Sequence, residues 1–194
     1  MDLLLDLDKS LFLLINGAHA PWADNLMGWL SNMLLWLPLY LFFLWLIQRR
    51  HAWKGLAWAV PVIALMIFCS DSGSVMFFKN TVQRLRPCHD PDLAGMVHLV
   101  NNYCGGQFGF VSSHAANHFA IAAFMIAVLW RDPRWSAFAL PGWAGTIAYS
   151  RVYLGVHYPS DVAAGFAIGA VFLWLGVYVT NELKRRGAFS KAPS

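Results

Sequence analysis

Residues 30–54, LSNMLLWLPLYLFFLWLIQRRHAWK, decide the fold of this chain. From Leu30 to Ile47 the run holds no charged side chain, and it ends on the polar and basic stretch from Gln48 to Lys54, which includes Arg49, Arg50 and His51. About 20 mostly apolar residues cross the hydrocarbon core of a bilayer, and Lys and Arg collect on the cytoplasmic side of such spans. The stretch therefore reads as a transmembrane helix leaving into the cytoplasm. Four more apolar runs follow: Leu56 to Phe78, Ala115 to Trp130, Trp135 to Tyr149 and Val162 to Thr180. The expectation is an all-α integral membrane bundle of five transmembrane helices, with residues 1–194 forming one membrane-embedded domain. Composition agrees, since 58% of the residues are hydrophobic and only 12% are charged, whereas a soluble domain carries about a quarter charged residues. A separate soluble domain does not fit.

Counting cations orients the bundle. Arg49, Arg50, Lys54, Arg131, Arg134, Lys184, Arg185, Arg186 and Lys191 fall on the inner side, and Lys9, Lys79, Arg84, Arg86 and Arg151 on the outer side. The C-terminus is then cytoplasmic and the N-terminus outside, in the inner (plasma) membrane of a bacterium. The net charge of +4 is explained by these turns, so nucleic acid is not an expected partner; membrane lipids are. Residues Leu3 to Asn16 mix leucines with Asp6, Asp8 and Lys9, a pattern suited to an N-terminal interfacial helix. A sixth span from Asp2 to His19 is the competing arrangement. The first twenty residues lack the basic start of a secretory signal and read as part of the mature fold. The Trp135 to Tyr149 run is short and carries Pro141, Gly142 and Gly145, so it is expected inside the bundle. Ala163, Ala164, Gly165, Gly169 and Ala170 suit close helix contact in the last span.

This topology delivers three polar clusters to the outer face. Lys79 and Arg86 stand seven apart before Pro87; a helix continued through both puts them on one face two turns apart. Taken alone they are equally an ordinary interfacial pair. Val111-Ser112-Ser113-His114 opens the third span, where a serine N-cap and bare backbone N–H groups make an anion site. A lone histidine at such a boundary is more often structural. Ser150-Arg151 leads to His157 and Asp161, with Pro159 at a helix start. A carboxylate bonded to one imidazole nitrogen leaves the other as nucleophile or base, although Asp161 alone is equally a helix cap. Together the clusters supply what phosphoryl transfer needs: cations for the equatorial oxygens, a nucleophile and an acid. Arg151 brings a planar fork for two phosphate oxygens.

Lys79-x6-Arg86-Pro87, Ser112-x-His114 and Ser150-Arg151-x5-His157-x3-Asp161 resemble the three-part signature of the type 2 phosphatidic acid phosphatase superfamily, which includes vanadium haloperoxidases. The resemblance implies that His157 attacks phosphorus to form a phosphohistidine, that Asp161 orients it and that His114 protonates the lipid leaving group. Lys79, Arg86, Arg151, Ser112 and Ser113 would hold the phosphate, with no metal and no cofactor. Where the family has Pro-Ser-Gly-His, this chain has Val111-Ser112-Ser113-His114. A serine hydroxyl that can donate to phosphate thus replaces a glycine. Small family members resemble bacterial enzymes acting on undecaprenyl pyrophosphate, which is the first expected substrate. Phosphatidylglycerol phosphate, phosphatidic acid and lipid A follow. A protein that binds or transports lipid phosphate without chemistry is the alternative of another class.

Other residues carry smaller expectations. Cys88 and Cys104 lie in the outer loop and can pair as a disulfide, the alternative being two thiols. Cys69 is expected as a small buried residue and Asp71 as a polar group facing the bundle interior. His118, one turn after His114, is expected in polar packing rather than at a metal. The ten tryptophans read as interfacial anchors or lipid-facing bulk.

Overall fold

The computed structural model describes residues 2–73, 78–129 and 136–185. It contains helices α1 (Asp2–Gly17), α2 (Pro21–Leu30), α3 (Leu37–Gly73), a single turn α4 (Asn80–Val82), α5 (Ser113–Leu129), α6 (Ser136–Tyr153) and α7 (Pro159–Arg185). Among the described residues the only β pairing is an isolated bridge between Leu85 and Phe108. The turn Arg131–Arg134, together with Trp130, Trp135, Arg186 and Lys191, lies outside the described residues.

A straight helix of 37 residues would run about 55 Å, nearly twice the hydrocarbon thickness. The structure resolves this at Ala52, whose φ of 55° and ψ of −168° break α3 into two arms. The break falls inside the basic run that joins the first two apolar stretches. Tyr40 and Phe43 from the first arm and Ile63 and Ile67 from the second line one cavity, so the arms fold back beside each other. Phe43, Ile47, Ala59 and Met66 then share a core with Ala120, Phe124, Met125 and Val128 of α5.

The tightest packing joins α5 to α7. A Cβ built on Gly169 would stand 2.4 Å from the Cβ of Phe119, and one on Gly165 would stand 2.8 Å from the Cβ of Ala115. Only glycine lets the two backbones approach this closely. The Ser112 N–H donates to the Asp161 carbonyl at 3.1 Å, which fixes the start of α5 on the first turn of α7.

Several expectations need correction. α1 does carry an outward apolar face, with Leu3, Leu4, Leu7, Leu11 and Leu14 exposed, yet its other face is packed, with Phe12 and Asn16 fully buried. Phe12 meets the ring of Tyr158 edge-on at 5.5 Å. α6 is not enclosed. It buries Leu140, Ala144, Ile147 and Ala148 but exposes Phe138 and Tyr149, because it packs along one side of α5 at the rim of the bundle. Cys69 is exposed rather than buried. Asp71 is exposed rather than turned inward; Ser70, about 100° away around the helix, takes the buried position.

Candidate active site

The first cluster is not helical through its length. α4 ends at Gln83, which has a left-handed φ of 48°. The segment beyond it pairs with residues 107–109 through Leu85 and Phe108, with Arg86 N–H donating to the Gln107 carbonyl at 3.0 Å and Gly109 N–H to the Arg84 carbonyl at 2.9 Å. Lys79 and Arg86 therefore do not share a helical face. They converge instead by separate routes. Lys79 Nζ donates to Ser113 Oγ at 3.0 Å, so the Ser113 hydroxyl is an acceptor toward Lys79. Arg86 Nη1 donates to the Val156 carbonyl at 3.1 Å and lies 3.3 Å from His157 Nε2. Burial, and after it the charge of Arg86, push the Lys79 ammonium below the ordinary lysine range.

The third cluster is shaped by the end of α6. Gly155 adopts φ 80°, and the N–H groups of Leu154, Gly155 and Val156 turn back to the Ser150, Val152 and Arg151 carbonyls. This is the glycine helix terminus expected after a final turn. A side chain at Gly155 would also collide with the His98 carbonyl at 2.8 Å. The turn delivers His157 just ahead of α7, where Pro159 occupies the first helical position.

Asp161 is fully buried and His157 is 2% exposed. His157 Nδ1 lies 3.3 Å from Asp161 Oδ2, which also accepts the Tyr158 N–H at 2.9 Å. A carboxylate can only accept, so Nδ1 carries the proton and Nε2 presents its lone pair. That lone pair faces Arg86. Burial dominates the titration of His157 and pushes the imidazole down to about 4, against the opposing pull of Asp161. The ring is neutral at pH 7.

Arg151 is 7% exposed, and among the described residues its one hydrogen-bond partner is Ser31 Oγ. Among the described residues no carboxylate lies within ion-pair distance of Arg86 or Arg151, and the Nε of each is buried without a hydrogen-bond partner. Arg151 stands within electrostatic reach of Lys79, Arg86, His114 and His157, so all three clusters meet at one place. Leaving a buried donor unsatisfied costs about 1–3 kcal/mol. Two such guanidiniums beside a nitrogen lone pair suit a multiply charged oxyanion.

His114 opens α5 behind Ser113. Its carbonyl accepts from His118 Nδ1 at 2.7 Å, while His118 Nε2 lies 2.9 Å from the Tyr40 hydroxyl. A carbonyl only accepts, so His118 donates through Nδ1 and accepts from Tyr40 through Nε2. Both nitrogens of His118 are thereby engaged in polar packing. In the loop between α4 and α5, Cys88 and Cys104 form a disulfide with Cα atoms 6.0 Å apart.

Sequence reasoning missed Arg84, Asp8, Ser160, Gly109 and Ser31. Arg84 Nη1 donates to Asp161 Oδ1 at 3.1 Å and its Nη2 to Asp8 Oδ2 at 2.6 Å. The signal for Arg84 was present: on an extended strand residues two apart share a face, so Arg84-Leu85-Arg86 aims both guanidiniums the same way once the helix ends at Gln83. Gly109 had no such signal. A Cβ there would lie 3.1 Å from both Asp161 Oδ2 and Arg86 Cγ, so its bare backbone makes room for the pair.

A family model described as the PAP2 superfamily matches residues 58–185. The chain is 37% identical over 187 residues to the lipid A 4'-phosphatase of Bacteroides thetaiotaomicron, covering 96% of this chain and 82% of that one. It is 31% identical over 175 residues to the lipid A 4'-phosphatase of Porphyromonas gingivalis, covering 88% and 72%. Its fold is similar to the crystal structure of a transmembrane PAP2-type phosphatidylglycerolphosphate phosphatase from Bacillus subtilis, with a TM-score of 0.70, 23% identity, and coverage of 95% of this chain and 90% of that one.

Proposed function

Because the chain belongs to the PAP2 superfamily, we propose that it is a lipid phosphatase that removes a phosphate from a lipid A-type glycolipid at the outer face of a bacterial inner membrane, by way of a phosphohistidine on His157. The observation that carries the reading is the pair of guanidiniums, half-buried Arg86 and buried Arg151, whose Nε atoms are buried without a partner among the described residues, with Arg86 beside the Nε2 lone pair of His157.

In this reading Arg86, Arg151, Lys79, Ser112 and Ser113 hold the phosphate oxygens. His157 Nε2 attacks phosphorus, and the bond from phosphorus to the lipid oxygen breaks. The departing oxygen takes a proton from His114, which enters this step as the imidazolium and leaves it neutral, and Asp161 stabilises the cationic phosphohistidine through Nδ1–H. His114 then accepts a proton from water as its oxygen attacks phosphorus. The N–P bond breaks, inorganic phosphate leaves and His157 is neutral again. No step calls on a metal. An apolar cavity of about 220 Å³ between the arms of α3 and α5, lined by Tyr40, Phe43, Leu44, Ile63, Ile67 and Met125 among others, extends from His118. The His118 ring is 6.5 Å from that of His114. A lipid chain placed there puts the leaving oxygen on the side of the acid.

The similarity to lipid A 4'-phosphatases over nearly the whole chain moves lipid A ahead of undecaprenyl pyrophosphate, the expectation drawn from sequence. Phosphate release by the detergent-solubilised protein from lipid A, undecaprenyl pyrophosphate, phosphatidylglycerol phosphate and phosphatidic acid tests the order. Lipid A is expected to show the highest kcat/KM. A higher value for undecaprenyl pyrophosphate would restore the earlier order. Release from none of the four, with binding of lipid phosphate intact, would favour a carrier over an enzyme.

A further inference from the structure

The N-terminal helix reaches the reactive pair through one arginine. Asp8 of α1 accepts from Arg84 Nη2 at 2.6 Å with Oδ2, and from the Ser160 backbone N–H at 2.9 Å with Oδ1. The Ser160 hydroxyl also donates to Asp8 Oδ2. Arg84 spends its other terminal nitrogen on Asp161 Oδ1 at 3.1 Å and on Ser160 Oγ. Its guanidinium also sits 4.0 Å from the centre of the Tyr158 ring. The neighbouring Lys9 bridges to Asp90 at 3.3 Å and to Asp92, and Asp90 accepts the Tyr158 hydroxyl at 2.6 Å. Two consecutive residues of α1 thus grip both sides of the segment that carries His157 and Asp161.

The division of labour on Asp161 follows. Oδ2 serves His157 Nδ1 and the Tyr158 N–H, while Oδ1 serves Arg84. A carboxylate held at one oxygen alone can rotate about its Cβ–Cγ bond, and then loses the direction it imposes on the imidazole. Arg84 removes that rotation, provided Arg84 is itself fixed. Its planar fork can hold two carboxylates at once, and the second is Asp8. Asp8 lies outside residues 58–185, the part of the chain that matches the family model.

We propose that Asp8, acting through Arg84, is a positioning residue for the His157–Asp161 pair, so that α1 is a working part of the active site rather than only an anchor on the membrane. Neither residue touches the phosphate. The inference rests on the reading of His157 as nucleophile. Removing Asp8 should slow turnover without weakening substrate capture, by the factor of about 10 to 100 typical when a partner that orients a reactive ligand is lost.

The test compares the full-length wild-type chain with Asp8→Asn, Asp8→Glu, Arg84→Gln and the double variant Asp8→Asn with Arg84→Gln, on the lipid phosphate the wild type turns over fastest. Activity is normalised to folded protein. Asp8→Asn is expected to lower kcat about 10- to 100-fold with KM within about twofold, and Asp8→Glu to recover most of the loss. The double variant should match Arg84→Gln alone, because both changes act through one contact. Asp6→Asn, two residues before Asp8 and on the exposed side of the helix, should match the wild type. A wild-type kcat per folded molecule in Asp8→Asn would overturn the proposal, as would a rise in KM at constant kcat. If Asp8→Asn does not fold, Arg84→Lys replaces it. Lysine keeps the charge but loses the fork, so kcat should fall at constant KM; a wild-type kcat there would equally overturn the proposal. A wild type that releases no phosphate from any lipid breaks the functional reading and this inference with it. An active wild type with an unaffected Asp8→Asn breaks this inference alone.

Discussion

Arg84 and Arg86 stand two residues apart on one extended segment, and their surroundings are opposite. Arg84 is held by two carboxylates, Asp8 and Asp161. Arg86 is held by the Val156 carbonyl and the His157 lone pair, both neutral, and keeps an Nε with no partner. Arg151, across the site, resembles Arg86: among the described residues it has one hydroxyl partner and a bare Nε. A buried charge that meets a counter-charge is a structural member. A buried charge that meets only neutral acceptors carries a desolvation cost of several kcal/mol, which an arriving anion offsets. The site is thus divided into a charge-saturated side that braces Asp161 and an unsaturated side that, in the proposed function, receives phosphate.

Substitutions should separate the two sides by size and by kinetic signature. The boundary residue comes first. His157→Ala is expected to lower kcat by about 10⁴-fold or more, as when a covalent nucleophile is lost, measured as inorganic phosphate released per folded molecule. On the unsaturated side, Arg86→Lys and Arg151→Lys should each cost about 10²- to 10³-fold in kcat/KM, since a point charge cannot replace the fork on a developing charge. Equal losses for Arg84→Lys and Arg86→Lys in both kcat and KM would erase the distinction.

Away from both sides the effects should fall on stability. Gly169→Ala places a methyl against Phe119 and is expected to destabilise the α5–α7 contact by about 1–3 kcal/mol, read as a lower Tm in detergent at unchanged kcat per folded molecule.

The smallest effect is in pH. His157 titrates near 4 in the folded chain, below the ordinary value of about 6.5, so the unfolded chain binds the proton first. Its contribution to stability is present above about pH 6.5 and is lost as pH falls from there toward 4. Tm should decline more steeply over that window in the wild type than in His157→Asn. Equal slopes would show that His157 is not held neutral by burial.

The helices over the apolar runs were legible because apolar runs and basic turns are local signals, and the break of α3 at Ala52 falls in the basic run between the first two. The pairing of His157 with Asp161 was legible for the same reason, being four residues long. What failed was non-local. The seven-residue spacing of Lys79 and Arg86 fits a helix, but Leu85 pairs with Phe108, and no local pattern announces that partner. Asp8 and Arg84 are separated by 76 positions, and the acids of α1 read as solvated charge on an interfacial helix. Cys69 and Asp71 were misplaced through the rotation of a helix whose two faces are both apolar, where periodicity gives no phase. The contact of Ser113 with Lys79, 34 positions away, was likewise not legible; its oxygen accepts from Lys79 and its O–H remains a donor.

The central claim is that His157 becomes covalently phosphorylated. Brief mixing of the purified chain with lipid A carrying a radiolabelled phosphate, followed by denaturing quench, reads it directly. The account predicts label on the wild-type protein that survives alkali and is lost in acid, the stability of a phosphoramidate, with none on His157→Ala and more persistent label when His114 is replaced. Full phosphate release by wild type with no labelled protein at any quench time, or label retained on His157→Ala, would contradict it.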